Sequence, residues 1–523
     1  MNADFSRIFS HVLGRLSEDV FEKLKAQAII PEDLPALLRG SVIPAWVEGG
    51  YLADLAELEL ALHRLKTQEQ VLPDRVKKTV LNPSLELIKV DWAPLLDVLA
   101  GEHPDIHAAT QYLLLWKEPH SRKVKMDVAT PGCLLALKVI SEKLDPLEVA
   151  ASQNQPVGKV DREIEKALAN GLLLAPESKL KRTRNDFPLQ QTTPVEFIEA
   201  QAFTLQWHIT HRCDLHCRHC YDRSLQTDVS LEQGIVVLDQ MREFCLQHHV
   251  YGQVSFSGGN PFMHPHFYDL YRAAEDRNLS LAILGNPVSE EQLNRLLEIR
   301  KPVFYQVSLE GLQEHNDYIR GEGNFSAVFD FLERLKSKNV YSMVMLTLTQ
   351  DNMGQVLPLA ELLRDKVDLF TYNRLSMVGE GASLESPHAK DYASFVRDYL
   401  RASQANPIMA MKDNLINIER DKQGSGLFGG CTGFGCGAAF NFFSLLPNGE
   451  VHACRKFPSP IGDIQQNSLS EIYYSKRARA YRKGSASCAS CRLRPVCGGC
   501  LAVTYGCGLD PLNDVDPACF IDQ

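Results

Sequence analysis

The middle of the chain alternates between strand-like and helix-like patterns of apolar and polar residues. Short apolar stretches rich in β-branched and aromatic residues, which are typical of strands, recur at 203–210, 252–258, 279–286, 303–309, 341–349 and 369–378. Amphipathic stretches separate them, and those that start at Ser230 and Ser289 open with S-x-x-Q, a helix-capping signature. This alternation predicts parallel βα units, whose functional groups lie at the carboxyl ends of the strands. Because six strands are too few for a closed eight-stranded barrel, the predicted fold class is α/β, with a partial (β/α)6 barrel over 200–400.

The amino-terminal part carries other patterns. Residues 1–100 have apolar residues at helical spacing, which predicts a packed helical domain with no chemistry of its own. Within 105–180, two stretches are typical of a hairpin, because charged and apolar residues alternate from Lys123 to Val128 in the second one. Three helical stretches follow the hairpin. A basic cluster and two prolines in 179–194 indicate a linker.

Size and charge exclude several classes of protein. The chain has 523 residues, more than one hydrophobic core organises, so three or four domains are expected. Its formal net charge of -10 argues against general nucleic-acid binding, which requires a basic surface. The first residues lack the basic and apolar regions of a signal peptide, and no run approaches the about 18–20 apolar residues of a membrane span. The predicted location is the cytoplasm, with neither nucleic acid nor membrane as a partner.

The 14 cysteines are unevenly distributed. Three stand together within 213–220, and nine fall between 431 and 519. Cys133 and Cys245 stand apart in helical patterns, where a buried, inert thiol is expected. Cysteines in a reducing compartment do not pair as disulfides, so the clustered thiols imply metal.

The motif C-D-L-H-C-R-H-C follows the first predicted strand and places Cys213, Cys217 and Cys220 in a loop at the top of the barrel. Three thiolates on a [4Fe–4S] cluster leave one iron without a protein ligand, and catalysis requires such an open site. A zinc knuckle is the alternative. The spacing C-x3-C-x2-C in this place resembles the radical S-adenosylmethionine (SAM) enzymes. The resemblance implies that SAM chelates the open iron through its amino and carboxylate groups. It also implies that an electron from the cluster then cleaves SAM to methionine and a 5′-deoxyadenosyl radical.

The same resemblance implies three side-chain contacts with SAM. His219 stands where the family places an aromatic residue against the adenine. Ser308 lies in V-S-L-E-G and Arg320 begins R-G-E-G-N-F, stretches that are similar to the family's S-L-D-G and R-G-x-G. All three residues are therefore candidate cofactor-binding residues.

The stretch S-G-G-N-P at 257–261 resembles the family's G-G-E-P. Gly258 and Gly259 are expected to let the backbone approach the SAM amino group closely. Asn260 replaces the usual carboxylate, so it keeps a hydrogen-bond acceptor but loses the negative charge. This departure leaves open what the side chain of Asn260 does.

The cysteine-rich end, 425–523, resembles the SPASM extension of peptide-modifying radical SAM enzymes. Residues 436–454 fit its first part, and 488–500 fit its second part with one residue fewer before the last cysteine. The resemblance implies two auxiliary [4Fe–4S] clusters, and zinc ribbons are the alternative. The implied ligand sets are Cys431, Cys436, Cys454 and Cys500 for one cluster, and Cys488, Cys491, Cys497 and Cys519 for the other. Cys507 is left over as an alternate ligand, an inert thiol or a group near the substrate.

The hairpin and three helices within 105–180 resemble the winged-helix recognition element of peptide-modification enzymes. Such an element captures a leader peptide as a strand added to the edge of the hairpin. A DNA-binding winged helix or a plain structural domain is the alternative, and the acidic chain argues against the former.

These features favour a radical SAM enzyme that modifies a ribosomally made precursor peptide, oxidising or cross-linking segments that contain Cys. A flavodoxin- or ferredoxin-type electron donor is the second expected partner. In 453–462 and 497–506 the chain resembles the selenobiotic-type maturases for thio(seleno)oxazole modification. The alternatives are a sulfatase-type formylglycine maturase, a cofactor-pathway enzyme that builds a carbon–carbon bond in a peptide and, outside the enzymes, an iron–sulfur electron carrier or regulator.

Overall fold

The chain divides into two compact units, Met1–Glu177 and Ser178–Gln523. The computed structural model describes residues 3–25, 29–39, 50–67, 72–184, 193–224 and 227–522. The division falls beside the predicted linker 179–194, of which residues 185–192 lie outside the described residues. The described start of that segment is not an exposed tether, because Arg182 is buried.

The first unit begins with helices and then departs from the predicted pattern. The helices are α1 (Ala3–Ile8), α2 (Ser10–Leu13), α3 (Glu18–Lys25), α4 (Leu34–Arg39) and α5 (Leu52–Thr67), followed by strands β1 (Val80–Leu81) and β2 (Glu86–Ala93) and helix α6 (Leu95–Leu99). The prediction that 1–100 is helical is therefore wrong for 80–93, and parts of 26–71 lie outside the described residues. In β2, Ile88 and Val90 are buried while Lys89 between them is exposed, a period of two.

The second part of this unit confirms the predicted hairpin and three helices. Its elements are β3 (His107–Lys117), β4 (Val124–Val128), α7 (Pro131–Glu142), α8 (Pro146–Ser152), α9 (Val157–Ala169) and β5 (Leu173–Leu174). The Thr130 and Asp145 side chains cap α7 and α8 by accepting backbone N–H bonds. Strands β2, β3 and β4 form an antiparallel sheet in that order, and β1 pairs with β5. Strand β4 is consequently an edge of the three-stranded sheet.

The second unit is built on one nine-stranded sheet in the order β11-β10-β9-β8-β7-β6-β12-β13-β14. Its strands are β6 (Ala202–Thr210), β7 (Tyr251–Gly258), β8 (Ser280–Leu284), β9 (Phe304–Ser308), β10 (Ser342–Leu348), β11 (Leu369–Arg374), β12 (Phe442–Leu445), β13 (Glu450–His452) and β14 (Pro460–Asp463). The six predicted strands are β6 to β11, and each is parallel to its neighbours among them. The α/β partial barrel is confirmed.

Helices accompany these strands as the alternating pattern predicts. They are α10 (Leu231–His248), α11 (Phe267–Glu275), α12 (Glu290–Ile299), α13 (Gln313–Arg320), α14 (Asn324–Ser337), α15 (Val356–Leu363), α16 (Ala389–Ala405), α17 (Ile416–Lys422), α18 (Leu469–Tyr474), α19 (Lys476–Lys483) and α20 (Leu501–Gly506). Both predicted capping boxes form, at Ser230 for α10 and at Ser289 for α12. Among the described helices, none combines the length and apolar character that crossing a membrane requires.

Period-two alternation in β6 separates the core from the functional face of the barrel. Phe203, Leu205 and Trp207 are fully buried in the apolar core, whereas His208 lies on the other face and lines the cavity described below. The same alternation that predicts the strand therefore directs its polar residues to the site.

The cysteine-rich region continues the sheet of the barrel. Strand β12 pairs in parallel with β6, from Phe442 opposite Thr204 to Leu445 opposite Trp207. Strands β13 and β14 follow in antiparallel order. Residues predicted as two domains, 200–400 and 425–523, thus share one sheet and one hydrophobic core.

Candidate active site

A cavity of about 340 Å³ lies at the carboxyl ends of the barrel strands. Parallel strands bring their carboxyl ends to one edge, so loops distant in sequence meet there. Of the nine residues predicted at the SAM site, all but Asn260 line this cavity. The eight that line it are Cys213, Cys217, His219, Cys220, Gly258, Gly259, Ser308 and Arg320.

Gly258 and Gly259 bring the end of β7 against the backbone of the cysteine loop. The Asn260 N–H donates to the Arg212 carbonyl at 2.7 Å. A Cβ atom at residue 259 would lie 2.1 Å from that carbonyl oxygen, and Gly258 has a φ of +132°. Gly259 is thus required for close approach of the chain to the residue before Cys213, and Gly258 for the left-handed backbone at the end of β7, whatever they also do toward SAM.

The Asn260 side chain holds the cysteine loop instead of lining the cavity. Its Nδ2 donates to Asp214 Oδ1 at 3.1 Å. Asn286, two residues beyond β8, donates to the same oxygen at 2.7 Å, and its Nδ2 lies 3.5 Å from Cys213 Sγ. A carboxylate at residue 260 has no proton to donate and would face Asp214 as a like charge. The amide of Asn260, where the family has a carboxylate, is therefore suited to its neighbour Asp214.

Glu310, two residues beyond β9, ties two candidate SAM contacts together. Its Oε1 lies 3.2 Å from His219 Nε2 and accepts a hydrogen bond from Arg320 Nη1 at 3.0 Å. Its Oε2 accepts from the Thr347 N–H at 2.7 Å. Burial alone would raise the pKa of Glu310, but His219, Arg320 and the Thr347 N–H together lower it to about 2. Glu310 is therefore a carboxylate at neutral pH and fixes both side chains.

Two polar atoms of the candidate SAM contacts lack a hydrogen-bond partner within the described parts of the chain. His219 Nδ1 and Arg320 Nε are buried and make no hydrogen bond there. Buried polar atoms are nearly always paired, so these two fit a polar molecule bound in the cavity. SAM, with its ribose hydroxyls, adenine nitrogens and amino acid group, offers such partners.

Two smaller cavities lie in the cysteine-rich region, and each collects one of the predicted ligand sets. The first is lined by Cys431, Cys436, Cys454 and Cys500. The second is lined by Cys488, Cys491, Cys497 and Cys519. The shorter spacing before Cys500 does not keep it from the first set. Cys507 follows α20 and lines neither cavity.

The thiols at these cavities fit a metal cluster. Burial raises the pKa of Cys436 to about 11 and that of Cys454 to about 12, so both are neutral at pH 7 unless a cation stabilises the thiolates. Coordination to a metal deprotonates such thiols. Among the described residues, no group of three or more His, Cys, Asp or Glu is placed for a single metal ion. Four thiols around one cavity are the ligand set of a [4Fe–4S] cluster, and four thiolates can also hold zinc.

Arg374, the last residue of β11, connects the barrel to both of these cavities. Its Nη1 and Nη2 donate to the two oxygens of Asp516 at 2.8 and 2.6 Å, and its Nε donates to Asp413 at 2.9 Å. Asp516 lines the second cavity and accepts the N–H of Cys500 from the first at 2.8 Å. The guanidinium is 1% exposed, so this ion network is fully desolvated.

Comparisons with known proteins agree with this geometry. Residues 207–363, from β6 to α15, match the family model described as the radical SAM superfamily. Residues 436–500 match the SPASM model, described as an iron–sulfur cluster-binding domain. The chain contains a radical SAM domain and a SPASM domain. The cofactors of these domains are SAM and [4Fe–4S] clusters, which suits the three sets of thiols and the two unpaired polar atoms.

Several characterised proteins are similar to the part of the chain with these domains. The subtilosin biosynthesis protein AlbA of Bacillus subtilis is 25% identical over 312 residues, which are 56% of this chain and 66% of AlbA. The mycofactocin maturase MftC of Mycobacterium ulcerans is 28% identical over 338 residues, which are 60% of this chain and 87% of MftC. The crystal structure of Streptococcus suis SuiB bound to SAM has a TM-score of 0.51 at 16% identity, and the likeness covers 78% of this chain and 96% of SuiB. At this low identity, the likeness to SuiB shows a shared fold alone.

Sequence reasoning missed several residues of the radical SAM site. Asn286 and Glu310 carry hydrogen bonds to the cysteine loop and to candidate SAM contacts, and Asn373 on β11 lines the cavity. Each stands at or just beyond the carboxyl end of an apolar strand, which is a signal the sequence does contain. Arg455 and Lys456 also line the cavity, although they come from the SPASM domain.

Proposed function

We propose that this chain is a radical SAM enzyme that modifies a ribosomally made precursor peptide, oxidising or cross-linking segments that contain cysteine. One observation carries the proposal. An open cavity with three thiols occurs in the same chain as two thiol-lined cavities and a separate sheet with a free edge. An electron carrier requires neither the open cavity nor the free edge.

The relatives support a peptide substrate. AlbA is named for the biosynthesis of subtilosin, a bacteriocin, and MftC is named a maturase. SuiB has been crystallised with its precursor peptide SuiA, in a structure that matches this fold with a TM-score of 0.51 at 14% identity. These names describe the relatives, and their extension to this chain is part of the proposal.

The three thiols of Cys213, Cys217 and Cys220 would hold the cluster that binds SAM, and the two SPASM sets would hold auxiliary clusters. With a cluster and SAM bound, this site would supply reductive cleavage of SAM and abstraction of a hydrogen atom from the peptide. The protein's part is to hold the reactants: Asp214, Asn260 and Asn286 fix the loop that carries Cys213. Glu310 fixes two candidate SAM contacts.

The first unit would capture the leader of the peptide at the β4 edge. Among the described residues, strand β3 is paired on both sides, whereas β4 is paired on one side. Met126 and Val128 on β4 are 36% and 41% exposed, so the edge offers apolar contacts beside its free backbone groups. Strand addition obtains affinity from main-chain hydrogen bonds and specificity from alternate side chains.

Leader capture can be tested by comparing the two edges of the sheet. Met126→Lys with Val128→Lys should weaken peptide binding at least about tenfold, equivalent to about 1.4 kcal/mol. The matched control is Leu87→Lys on the opposite edge strand β2, where Leu87 is 47% exposed. Equal affinities in a calorimetric titration of the β4 variant and the parent would contradict capture at β4.

The function itself can be tested by co-expression with a short, Cys- and Gly-rich reading frame beside the gene, followed by mass spectrometry. Loss of the mass of two hydrogen atoms per site is expected for oxidation or cross-linking. An aldehyde at a single Cys or Ser would favour the formylglycine-type maturase instead. Absence of any SAM cleavage would favour the electron carrier.

Three finer statements belong to this proposal. The stretches 453–462 and 497–506 support membership of the selenobiotic-type maturases. A flavodoxin- or ferredoxin-type protein would deliver the electron. Cysteines grouped as metal ligands suit a reducing compartment, so the proposed location is the cytoplasm.

A further inference from the structure

The turn after Cys454 brings two cations from the SPASM domain into the central cavity. Arg455 and Lys456 both line it, together with the three cysteines of the radical SAM domain. Neither residue is needed to hold a cluster, since neither offers a thiol. Both are placed to contact what the cavity binds.

These two cations differ from the other cationic side chains of the cavity in having no carboxylate partner. Arg320 is paired with Glu310 at 3.0 Å, and Arg223 lies 3.7 Å from Glu380. Across the described ranges, no Asp or Glu oxygen lies within ion-pair distance of Arg455 or Lys456. Cations without a carboxylate partner in a partly desolvated cavity favour binding of an anionic ligand.

Both side chains are nevertheless held in place. Arg455 Nη1 donates to Ser257 Oγ at 3.0 Å, and the guanidinium carbon lies 5.6 Å from the ring centroid of Tyr221. Lys456 Nζ donates to the Arg374 carbonyl at 3.0 Å. Arginine has five N–H donors and lysine three, so most donors of this pair stay available within the described structure. Fixed stems and available donors are the properties of a pre-organised anion site.

The position of the pair also matters. Lys456 and Asn373 line the central cavity and the first auxiliary cavity alike, so they form a wall between the two. An anion held at this wall lies between the thiols of the radical SAM domain and those of the first SPASM set. A substrate anchored there would be held beside both.

We propose that Arg455 and Lys456 form a carboxylate-binding subsite that orients the substrate segment to be modified. The carboxylate belongs either to an Asp or Glu side chain next to the reacting residue or to the carboxyl terminus of the peptide. This inference rests on the proposed peptide-modifying function for its substrate, but the subsite can be tested without that substrate.

The test uses reconstituted, SAM-saturated holoenzyme and four small probes. Two are acetylated tripeptide amides with a central aspartate or a central asparagine. The other two are an acetylated tripeptide with a free carboxyl terminus and its amide. We expect at least one carboxylate probe to bind about tenfold more tightly than its neutral isostere, by calorimetry, and the better probe identifies the source of the carboxylate. Equal binding within both pairs would overturn the proposal.

Substitutions of the two cations test whether Arg455 and Lys456 cause the carboxylate preference. Arg455→Gln and Lys456→Met should each reduce the preference for the carboxylate at least about fivefold, because each removes charge-assisted donors. The matched control is Arg479→Gln, on the exposed face of α19 in the same domain, which should keep the full preference. Circular dichroism and iron content of each variant show that its fold and clusters are retained. A carboxylate preference that survives both cavity substitutions would place the site elsewhere and refute the proposal.

SAM itself carries a carboxylate, so binding of SAM by this pair must be distinguished from binding of the substrate. The dissociation constant of SAM should change less than about twofold in Arg455→Gln. A tenfold loss of SAM affinity would mean that the pair serves the cofactor, which also refutes the proposal. If only the co-expression experiment fails, the peptide-modifying function is refuted and the carboxylate subsite is retained. If modified peptide forms but no probe shows a carboxylate preference, the subsite is refuted and the function is retained.

Discussion

Replacing Gly259 with Ala is expected to displace the cysteine loop while leaving the SPASM cavities intact. Residue 259 touches the backbone of Arg212, the residue before Cys213, and it lies far along the chain from the SPASM cysteines. The new methyl group therefore acts on the one segment that carries the predicted SAM-cluster ligands. The loss of cluster binding should be confined to the set of Cys213, Cys217 and Cys220.

The magnitude follows from the contact distances. The added Cβ would lie 2.1 Å from Arg212 O, about 0.9 Å inside the 3.0 Å limit below which real Cβ contacts essentially do not occur. Relief by backbone movement costs about 1–3 kcal/mol. The movement also weakens the hydrogen bond from Asn260 N–H to Arg212 O, at 2.7 Å, worth about 1 kcal/mol. A penalty of about 2–4 kcal/mol shifts the local equilibrium by about 30-fold to 1,000-fold.

Iron content after anaerobic reconstitution provides the assay. Three [4Fe–4S] clusters correspond to about 12 irons in the parent, and Gly259→Ala should retain about 8 and lose the effect of SAM on the electron paramagnetic resonance spectrum. The matched control is Gly354→Ala, where no atom lies within 4 Å of the added Cβ, and it should match the parent. If Gly259→Ala binds as much iron as the parent and responds to SAM, the argument from close approach is wrong.

Three further predictions concern other parts of the chain. Cys519→Ala should bind about 8 irons and still cleave SAM but make little modified peptide, because the second auxiliary set would accept an electron from the substrate; product at the parent rate, by mass spectrometry, would show that this set is structural. Arg374→Met leaves two buried carboxylates unpaired and should lower the free energy of unfolding by about 3–5 kcal/mol. The control is Arg401→Met, because the ion pair of Arg401 with Asp398 is exposed. In the same denaturant titration it should lower the free energy of unfolding by less than about 1 kcal/mol. Equal losses in the two variants would contradict the role of burial. Burial lowers the pKa of His248 below its ordinary 6.5, so the folded state binds fewer protons than the unfolded state below that pH. His248 should therefore contribute a fall in stability below pH 6.5 of at most about 1.4 kcal/mol per pH unit. His248→Gln should reduce the slope of stability against pH in denaturant titrations, and an unchanged slope would contradict the lowered pKa.

Much of the barrel was predictable because its signals are local. Strands β6 to β11 are apolar stretches bounded by polar turns, and the capping boxes at Ser230 and Ser289 are four-residue patterns. Strand β2 was missed because it follows a long helical pattern and its period of two extends over few residues. The pairing of β12 with β6 joins residues more than 200 positions apart, and no local pattern in Phe442–Leu445 indicates its partner.

The candidate site, like the fold, was predictable from the sequence only in part. The family resemblance implied three sets of cysteines, and each set lines one cavity of the structure. The side chain of Asn260 was not interpretable from the motif, because its partner Asp214 lies in another loop. Arg455 and Lys456 could not be assigned to the radical SAM cavity either, since only the folded sheet carries the turn after Cys454 to it.

The parallel pairing of β12 with β6 determines where this enzyme can be cut. A fragment that ends before β12 would bare one side of β6, and an exposed row of unpaired N–H and C=O groups favours aggregation. No strand pairing of the described residues crosses the junction between Glu177 and Ser178, so chimeric enzymes that exchange the first unit would keep these sheets whole. Transplanting the SPASM domain onto a foreign barrel would instead require a matching edge strand on the recipient.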